Sequence, residues 1–130
     1  MVITKNLNGQ LEDSTIVNIH AIPRDHYIAD IGPKTIMRYV EHMVTPRTVI
    51  WSGPMGVFEI DEFASGTNRI AQALAQSDGV TIIGGGSTAH AIEAMGFGDR
   101  FSHVSTGGGA MLDFLGGKEL PGIIGLPEKI

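Results

Sequence analysis

The sequence contains no cysteine, and this absence removes several kinds of chemistry at once. Disulfide bridges, thiolate nucleophiles and cysteine-ligated zinc sites all require that residue. Basic residues are also few: nine Lys and Arg are scattered singly in a chain of net charge −5. No basic stripe is therefore present to follow a nucleic acid or an anionic membrane, and neither partner is expected.

Long apolar runs are missing as well. No stretch reaches the roughly 20 residues that a membrane-spanning helix needs, and the amino-terminal segment MVITKNLNGQ lacks the basic-then-apolar layout of a signal peptide. With 130 residues, 42% of them hydrophobic, the chain can form one domain with its own core. We expect a globular cytoplasmic protein.

Glycine is the residue in excess, with 18 in the chain. Its positions are clustered at 84–86, 107–109 and 116–117 instead of being spread as in a linker. Because glycine has no Cβ, a cluster that follows an apolar strand leaves the backbone accessible to a ligand.

The pattern between these clusters predicts an α/β fold. Short β-branched runs precede turns rich in Gly or Pro, and apolar residues three and four apart then follow, which is the pattern of a βα unit. Four units imply a Rossmann-like parallel sheet with helices on both faces and a ligand crevice at the carboxyl ends of the strands. The predicted strands are 27–31, 48–51, 80–83 and 102–105, and the helices run from Pro33 to about Val44 and over 68–76, 87–95 and 110–115. A hairpin of strands 2–5 and 15–19 is predicted to precede them.

The glycine-rich loop before the third helix is the first candidate site. A strand that ends in glycines before a helix leaves amide N–H groups without intrahelical acceptors, and the helix dipole adds positive charge there. Gly84, Gly85 and Gly86 let phosphate oxygens approach the backbone closely. Ser87 is predicted as the N-cap, and Thr88 offers a hydroxyl. The alternative interpretation is a tight βα turn with a capping serine.

Two nucleotide motifs fit this loop poorly. Gly84, Gly86 and Ala89 match the dinucleotide pattern G-x-G-x-x-G/A, but Val104 stands about 20 residues on, where that pattern has an acid. A Walker A loop is absent from the sequence, because the sole Gly-Lys pair is followed by Glu119.

A hydrolase motif also overlaps the loop. The segment from Gly85 to Ala89 is a degraded nucleophile elbow around Ser87, for which His90 or His103 would have to serve as the base. Because His90 follows Ser87 by three positions on one helix, we expect it to point to solvent instead.

The stretch VIWSGPMGVFEIDEF, at 49–63, is the second candidate site. Pro54 and Val57 could contact a nucleoside, and Glu59 could accept hydrogen bonds from its ribose hydroxyls. Ordinary core packing with a solvated acid explains the same residues equally well.

The stretch HVSTGGGA repeats the glycine pattern after the last strand. Gly107, Gly108 and Gly109 would form a second anion-binding loop beside the first. Two such loops side by side suit a reaction in which a phosphoryl group passes between them.

Five segments together carry a resemblance to a known family: DIGPKT, WSGPMGVFE, FASGT, IIGGGSTA and SHVSTGGGAMLDFLGGKELPGI. In order and spacing they are similar to the carboxyl-terminal part of phosphoglycerate kinase, and the resemblance extends from about Thr15 to Leu126. The family is a two-domain glycolytic kinase that transfers a phosphoryl group between 1,3-bisphosphoglycerate and Mg-ADP.

The resemblance implies a role for each candidate residue. Glu59 would hold the ribose, Pro54 and Val57 would flank the nucleoside, and the loop 84–88 would bind the nucleotide phosphates. The loop 107–109 would face the group in transfer. Since phosphoryl transfer depends mainly on positioning and charge stabilisation, exposed backbone suits this chemistry.

The resemblance also has departures. The family usually has Asp, associated with the nucleotide's magnesium, where this chain has Ser87, and Asn where it has Ser52. A hard cation loses an oxygen ligand by this change, so we expect phosphate to bind better than metal.

Residues 1–130 would correspond to only part of the nucleotide-binding domain, and the tail 116–130 would return to an absent amino-terminal domain. We therefore expect the chain alone to be inactive, to engage phosphoglycerate only with that domain, and to self-associate through an exposed sheet edge. The alternative is a stand-alone phosphate- or nucleotide-binding module without catalysis.

Overall fold

The computed structural model describes residues 1–8, 13–43, 45 and 47–127. Val44, which the sequence pattern assigns to the first helix, and the last three residues of the predicted tail lie outside this part. The elements are β1 (Val2–Thr4), β2 (Ser14–Ile16), β3 (Tyr27–Asp30), α1 (Pro33–Met43), β4 (Thr48–Ser52), α2 (Ser65–Ala75), β5 (Val80–Gly84), α3 (Gly86–Ala94), β6 (His103–Ser105) and α4 (Gly108–Leu115).

The amino-terminal strands form an antiparallel sheet in the order β2-β1-β3. The predicted hairpin is confirmed, because Ile3 pairs with Thr15 across β1 and β2. The expectation that the strand at 27–31 joins the parallel sheet is wrong: Ile28 of β3 pairs antiparallel with Ile3. A βα pattern predicts a strand followed by a helix, but it does not predict which other strand will pair with that strand.

The second sheet is parallel, in the order β4-β5-β6, and it confirms the predicted α/β class. Its core lies mainly on one face, where Trp51 and Ile83 are neighbours across the first two strands and pack with Ile70 and Leu74 of α2 and Ile92 of α3. Side chains alternate between the two faces of a strand. Successive residues of β4 accordingly alternate between exposed and less exposed.

Helix α4 reaches the opposite face of this sheet. The side chain of Met111 fills the space that a Cβ on Gly84 would need, and Gly84 follows the core residue Ile83 along the strand. The rest of that face is less covered, since Ile50 and Val80 are about half exposed. Helices therefore contact both faces, as predicted.

Helix α2 begins three residues before its predicted start, at Ser65 in place of Asn68. The preceding Ala64 has no side chain able to cap the helix. Instead, the carboxylate of Asp30, at the end of β3, accepts a hydrogen bond of 2.7 Å from the Gly66 N–H. A negative group at this end of the helix also complements the helix dipole.

Beyond α4 the chain makes local turns. The N–H groups of Ile123 and Ile124 both donate to the Leu120 carbonyl oxygen, and an exposed ion pair joins Lys118 to Asp113. The apolar side chains of this stretch are largely exposed. No helix in the described residues is long and apolar enough to cross a membrane.

Candidate functional site

The three parallel strands end side by side. Ser52 of β4 is aligned with Gly84 of β5, which is aligned with Ser105 of β6. The loops that follow therefore leave the sheet from one edge, called the carboxyl rim below. A further hydrogen bond of 2.9 Å, from the Gly85 N–H to the Ser105 carbonyl oxygen, extends the pairing into the first glycine loop.

Helix α3 begins at Gly86, and Gly85 is its N-cap, with φ 93° and ψ 141°. The prediction that Ser87 caps this helix is wrong, because Ser87 already lies inside the first turn and is exposed. Within the described residues, the amide N–H groups of Gly86, Ser87 and Thr88 have no hydrogen-bond acceptor. These three donors lie where the helix dipole is positive.

The second glycine loop contacts the first. Gly107 is the N-cap of α4, and its N–H donates to the Ser105 hydroxyl at 3.1 Å. Gly108 has φ 46°, and a Cβ built on it would lie 3.6 Å from the Gly85 Cα. Gly109, like Gly86, has open space where a Cβ would project. The structure thus brings both predicted loops together.

Thr88 is fully buried, unlike the two residues before it. Its hydroxyl accepts a hydrogen bond of 2.9 Å from the Gly53 N–H, at the start of the loop that follows β4. The side chain therefore joins α3 to that loop, while its backbone N–H still belongs to the exposed turn.

The loop after β4 carries the other predicted site residues. Pro54 and Val57 are half-buried, and the Val57 N–H donates to the Ala29 carbonyl oxygen at 2.9 Å. Glu59 is exposed, and its carboxylate makes no hydrogen bond or ion pair with the described residues. Contacts thus connect the first part of this loop to the glycine loops through Gly53, but they do not connect Glu59.

The rim has an unusual electrostatic character, because it lacks charged side chains at its centre. Neither 84–88 nor 105–110 contains Lys, Arg, Asp or Glu. Attraction for an anion must therefore come from amide N–H groups and helix dipoles.

The same residues are a poor fit to a resident magnesium ion. Mg²⁺ is usually held by one or two carboxylates together with substrate phosphates. The described residues contain no group of three or more His, Asp or Glu side chains arranged for a metal. The hydroxyl of Ser87 is a weaker ligand than a carboxylate, so this part of the rim supplies no strong metal ligand.

Sequence reasoning missed two buried acceptors below the rim, Asp30 and Thr67. Both oxygens of Asp30 accept backbone N–H groups, from Ile31 and Gly66, while burial raises the pKa of this carboxyl above its ordinary value. The Thr67 hydroxyl accepts the Met55 N–H at 3.1 Å. The sequence features that could have indicated them are the position of Asp30 at the end of a predicted strand and the presence of Thr67 in the segment FASGT.

The hydrolase interpretation gains no geometric support. Ser87 and His90 are both exposed. In the part of the chain that the structure describes, the Ser87 hydroxyl makes no hydrogen bond to His90 or to His103. A cavity of about 640 Å³ lies elsewhere, along α1 beside Arg38 and His42, and it does not include the rim.

Comparisons with known proteins identify the family of this chain. The family model described as phosphoglycerate kinase matches residues 1–118. The phosphoglycerate kinase of Clostridium novyi (strain NT) is 55% identical over 108 residues, which is 83% of this chain and 27% of that protein. The chain thus spans about a quarter of the length of the curated relatives it matches.

Solved structures give the same result. The structure of phosphoglycerate kinase from Coxiella burnetii covers 90% of this chain with a TM-score of 0.83 and 41% identity, and 30% of that structure is matched. The enzyme from Pyrococcus horikoshii OT3 covers 84% with a TM-score of 0.70 and 38% identity, and 27% of it is matched. The chain belongs to the phosphoglycerate kinase family.

Proposed function

We propose that this chain supplies the nucleotide-phosphate-binding part of a phosphoglycerate kinase. The reaction is reversible phosphoryl transfer between 1,3-bisphosphoglycerate and ADP, giving 3-phosphoglycerate and ATP. The observation that carries the proposal is the contact between the two glycine loops at the carboxyl rim, where Gly85 and Gly108 approach closely and Gly86 and Gly109 remain open.

Each loop has a separate task in this proposal. The N–H groups of Gly86, Ser87 and Thr88 bind the nucleotide phosphates, and Gly107–Gly109 faces the phosphoryl group in transfer. Donors already fixed by the helix starts need little reorganisation as charge moves, which is how such groups stabilise a transition state. Pro54 and Val57 flank the nucleoside, and Glu59 accepts hydrogen bonds from the ribose.

Magnesium enters the reaction with the nucleotide in this proposal. Since the rim offers no carboxylate at 84–88, no step is assigned to a metal held by this chain. We also propose that the chain alone does not turn over, because it spans about a quarter of its relatives.

The test is an ADP titration by calorimetry on two alanine variants. Gly86→Ala should leave the fold intact and weaken ADP binding about tenfold, since hydrogen bonds to charged groups contribute about 1.5–3 kcal/mol each and the methyl group blocks phosphate approach. Gly98→Ala is the matched control, because its Cβ also meets open space but lies in the 3₁₀ turn Gly98–Arg100. Equal affinity in both variants would contradict the proposal.

A stand-alone nucleotide-binding module without catalysis is the second candidate. It is favoured by one observation, that both glycine loops are complete within a chain that spans about a quarter of its relatives. Mixing this chain with the part of the Clostridium novyi relative that it does not span decides between the two. Kinase activity that appears only on mixing supports the enzyme fragment, whereas ADP binding without activity supports the module.

A further inference from the structure

The loop Gly53–Val57 is held by a regular set of hydrogen bonds. Three N–H groups, at alternate positions along it, donate to three different elements. The acceptors are Thr88 Oγ1 of α3 for Gly53 at 2.9 Å, Thr67 Oγ1 of α2 for Met55 at 3.1 Å, and the Ala29 carbonyl oxygen of β3 for Val57 at 2.9 Å.

The middle acceptor is itself firmly placed. Thr67 is fully buried, in the first turn of α2, and the neighbouring Gly66 N–H is held by Asp30. Asp30 follows Ala29, which accepts the third hydrogen bond of the loop. The end of β3 and the start of α2 therefore form one fixed support beneath Met55.

Met55 lies between Pro54 and Val57, the two residues proposed to flank the nucleoside. From this arrangement we infer that Thr67 is a positioning residue for nucleotide binding, although it belongs to neither glycine loop. Its hydroxyl fixes the Met55 N–H and so holds the loop that carries Pro54 and Val57, the same loop that Gly53 joins to Thr88 of α3. The inference rests on the proposed function of the rim.

Thr67→Val removes the hydroxyl and keeps the shape of the side chain. The Met55 N–H then lacks its acceptor, so the loop leaves its binding-competent conformation part of the time. Apparent affinity falls in proportion to the competent fraction, and we expect ADP binding to weaken about fivefold. Thr67→Ser, which keeps the hydroxyl, should restore most of the affinity.

The chain offers a matched control in Thr81→Val. Thr81 is likewise buried, and its hydroxyl accepts one backbone N–H, from Ser102 at 3.2 Å, away from the loop. Both valine variants should lose similar stability in urea unfolding, but only Thr67→Val should lose ADP affinity. Equal affinity in the two variants would overturn the positioning role while leaving the proposed function intact. A parent chain that binds no ADP would overturn both.

A second measurement covers the case in which Thr67→Val does not fold. Amide hydrogen exchange of the parent chain, followed residue by residue by NMR, should slow at the Met55 N–H when ADP is added. The Ser102 N–H should be unaffected by ADP. If the two amides respond equally, the inference fails.

Discussion

The two glycine loops of the carboxyl rim are alike in sequence but differ in the helices that follow them. In each loop the second glycine has a positive φ and the third faces open space. Helix α3 buries three residues after the first loop, whereas α4 buries none after the second. The comparison indicates that the loop proposed to bind the nucleotide phosphates is fixed by the core, and that the loop proposed to face the transferring group is held weakly within this chain.

The largest expected effect separates the two helices. Ile92→Ala, on the buried face of α3, should lower the free energy of unfolding by about 2–5 kcal/mol because it leaves a cavity in the core. Leu112→Ala, at a site on α4 that is 48% exposed, should change it by about 0.5 kcal/mol or less. Urea unfolding measures both, and similar losses would show that α4 is as firmly packed as α3.

The next effect compares the second glycines of the two loops. Gly85→Ala should destabilise the chain by about 1–3 kcal/mol, because its φ of 93° and ψ of 141° are almost exclusive to glycine. Gly108→Ala, with φ 46°, should lose less, about 1–2 kcal/mol, since other residues reach the left-handed region at a smaller cost. Thermal or urea unfolding gives both values. A larger loss of stability for Gly108→Ala than for Gly85→Ala would contradict this prediction.

A smaller effect depends on pH and concerns Asp30, whose carboxylate accepts the N–H groups of Ile31 and Gly66. Burial raises the pKa of Asp30 in the fold above its unfolded value, so its ionisation is less favourable in the folded chain. Its contribution to stability is therefore fully present below the unfolded pKa of about 3.8 and is lost as pH rises through the higher folded pKa. Other titrating groups cancel when the parent is compared with Asp30→Asn.

The difference in unfolding free energy, parent minus Asp30→Asn, should accordingly be largest at low pH and shrink as pH rises toward 7. Urea unfolding of both proteins at several pH values measures it. A difference that grows with pH would mean that the two backbone hydrogen bonds outweigh burial at Asp30.

The smallest effect concerns charge at the start of α3. Ser87→Asp should stabilise the chain by about 0.3–1 kcal/mol through the helix dipole and should raise its affinity for Mg-ADP by supplying a metal ligand. In EDTA the same variant should bind ADP more weakly than the parent, because the carboxylate repels the phosphates. Ser87→Asn is the control. If Ser87→Asp binds Mg-ADP no more tightly than Ser87→Asn, the serine at this position does not account for weak metal binding.

Much of the fold could be predicted from local pattern. The strands and helices around Ile83 and Ile92 follow from apolar periodicity, and the glycine triplets indicated a shared rim. The start of α2 could not be predicted in this way, because the carboxylate that accepts the Gly66 N–H belongs to Asp30, 36 residues before Gly66 in the chain. The partner of β3 was missed for a similar reason, since pairing is decided by distant residues.

The candidate site likewise has features that local sequence predicts and features that depend on distant contacts. Gly84–Gly86 and Gly107–Gly109 are visible as exposed-backbone signals, but the position of Ser87 within α3 depended on where the helix begins. A glycine can occupy the N-cap, and Gly85 does so here, so the serine two residues later is not needed for capping. The role of the Thr67 hydroxyl required knowledge of a contact between α2 and a separate loop.

The indole of Trp51 gives this arrangement a practical consequence. It is the sole tryptophan of the chain, it is buried, and its Nε1–H donates to the Gly53 carbonyl oxygen at 2.6 Å. The fluorophore is thereby attached to the first residue of the loop that Thr67 and Thr88 hold. Its emission spectrum should report the state of that loop directly, so the ADP binding proposed for this chain can be tested optically in the unlabelled protein.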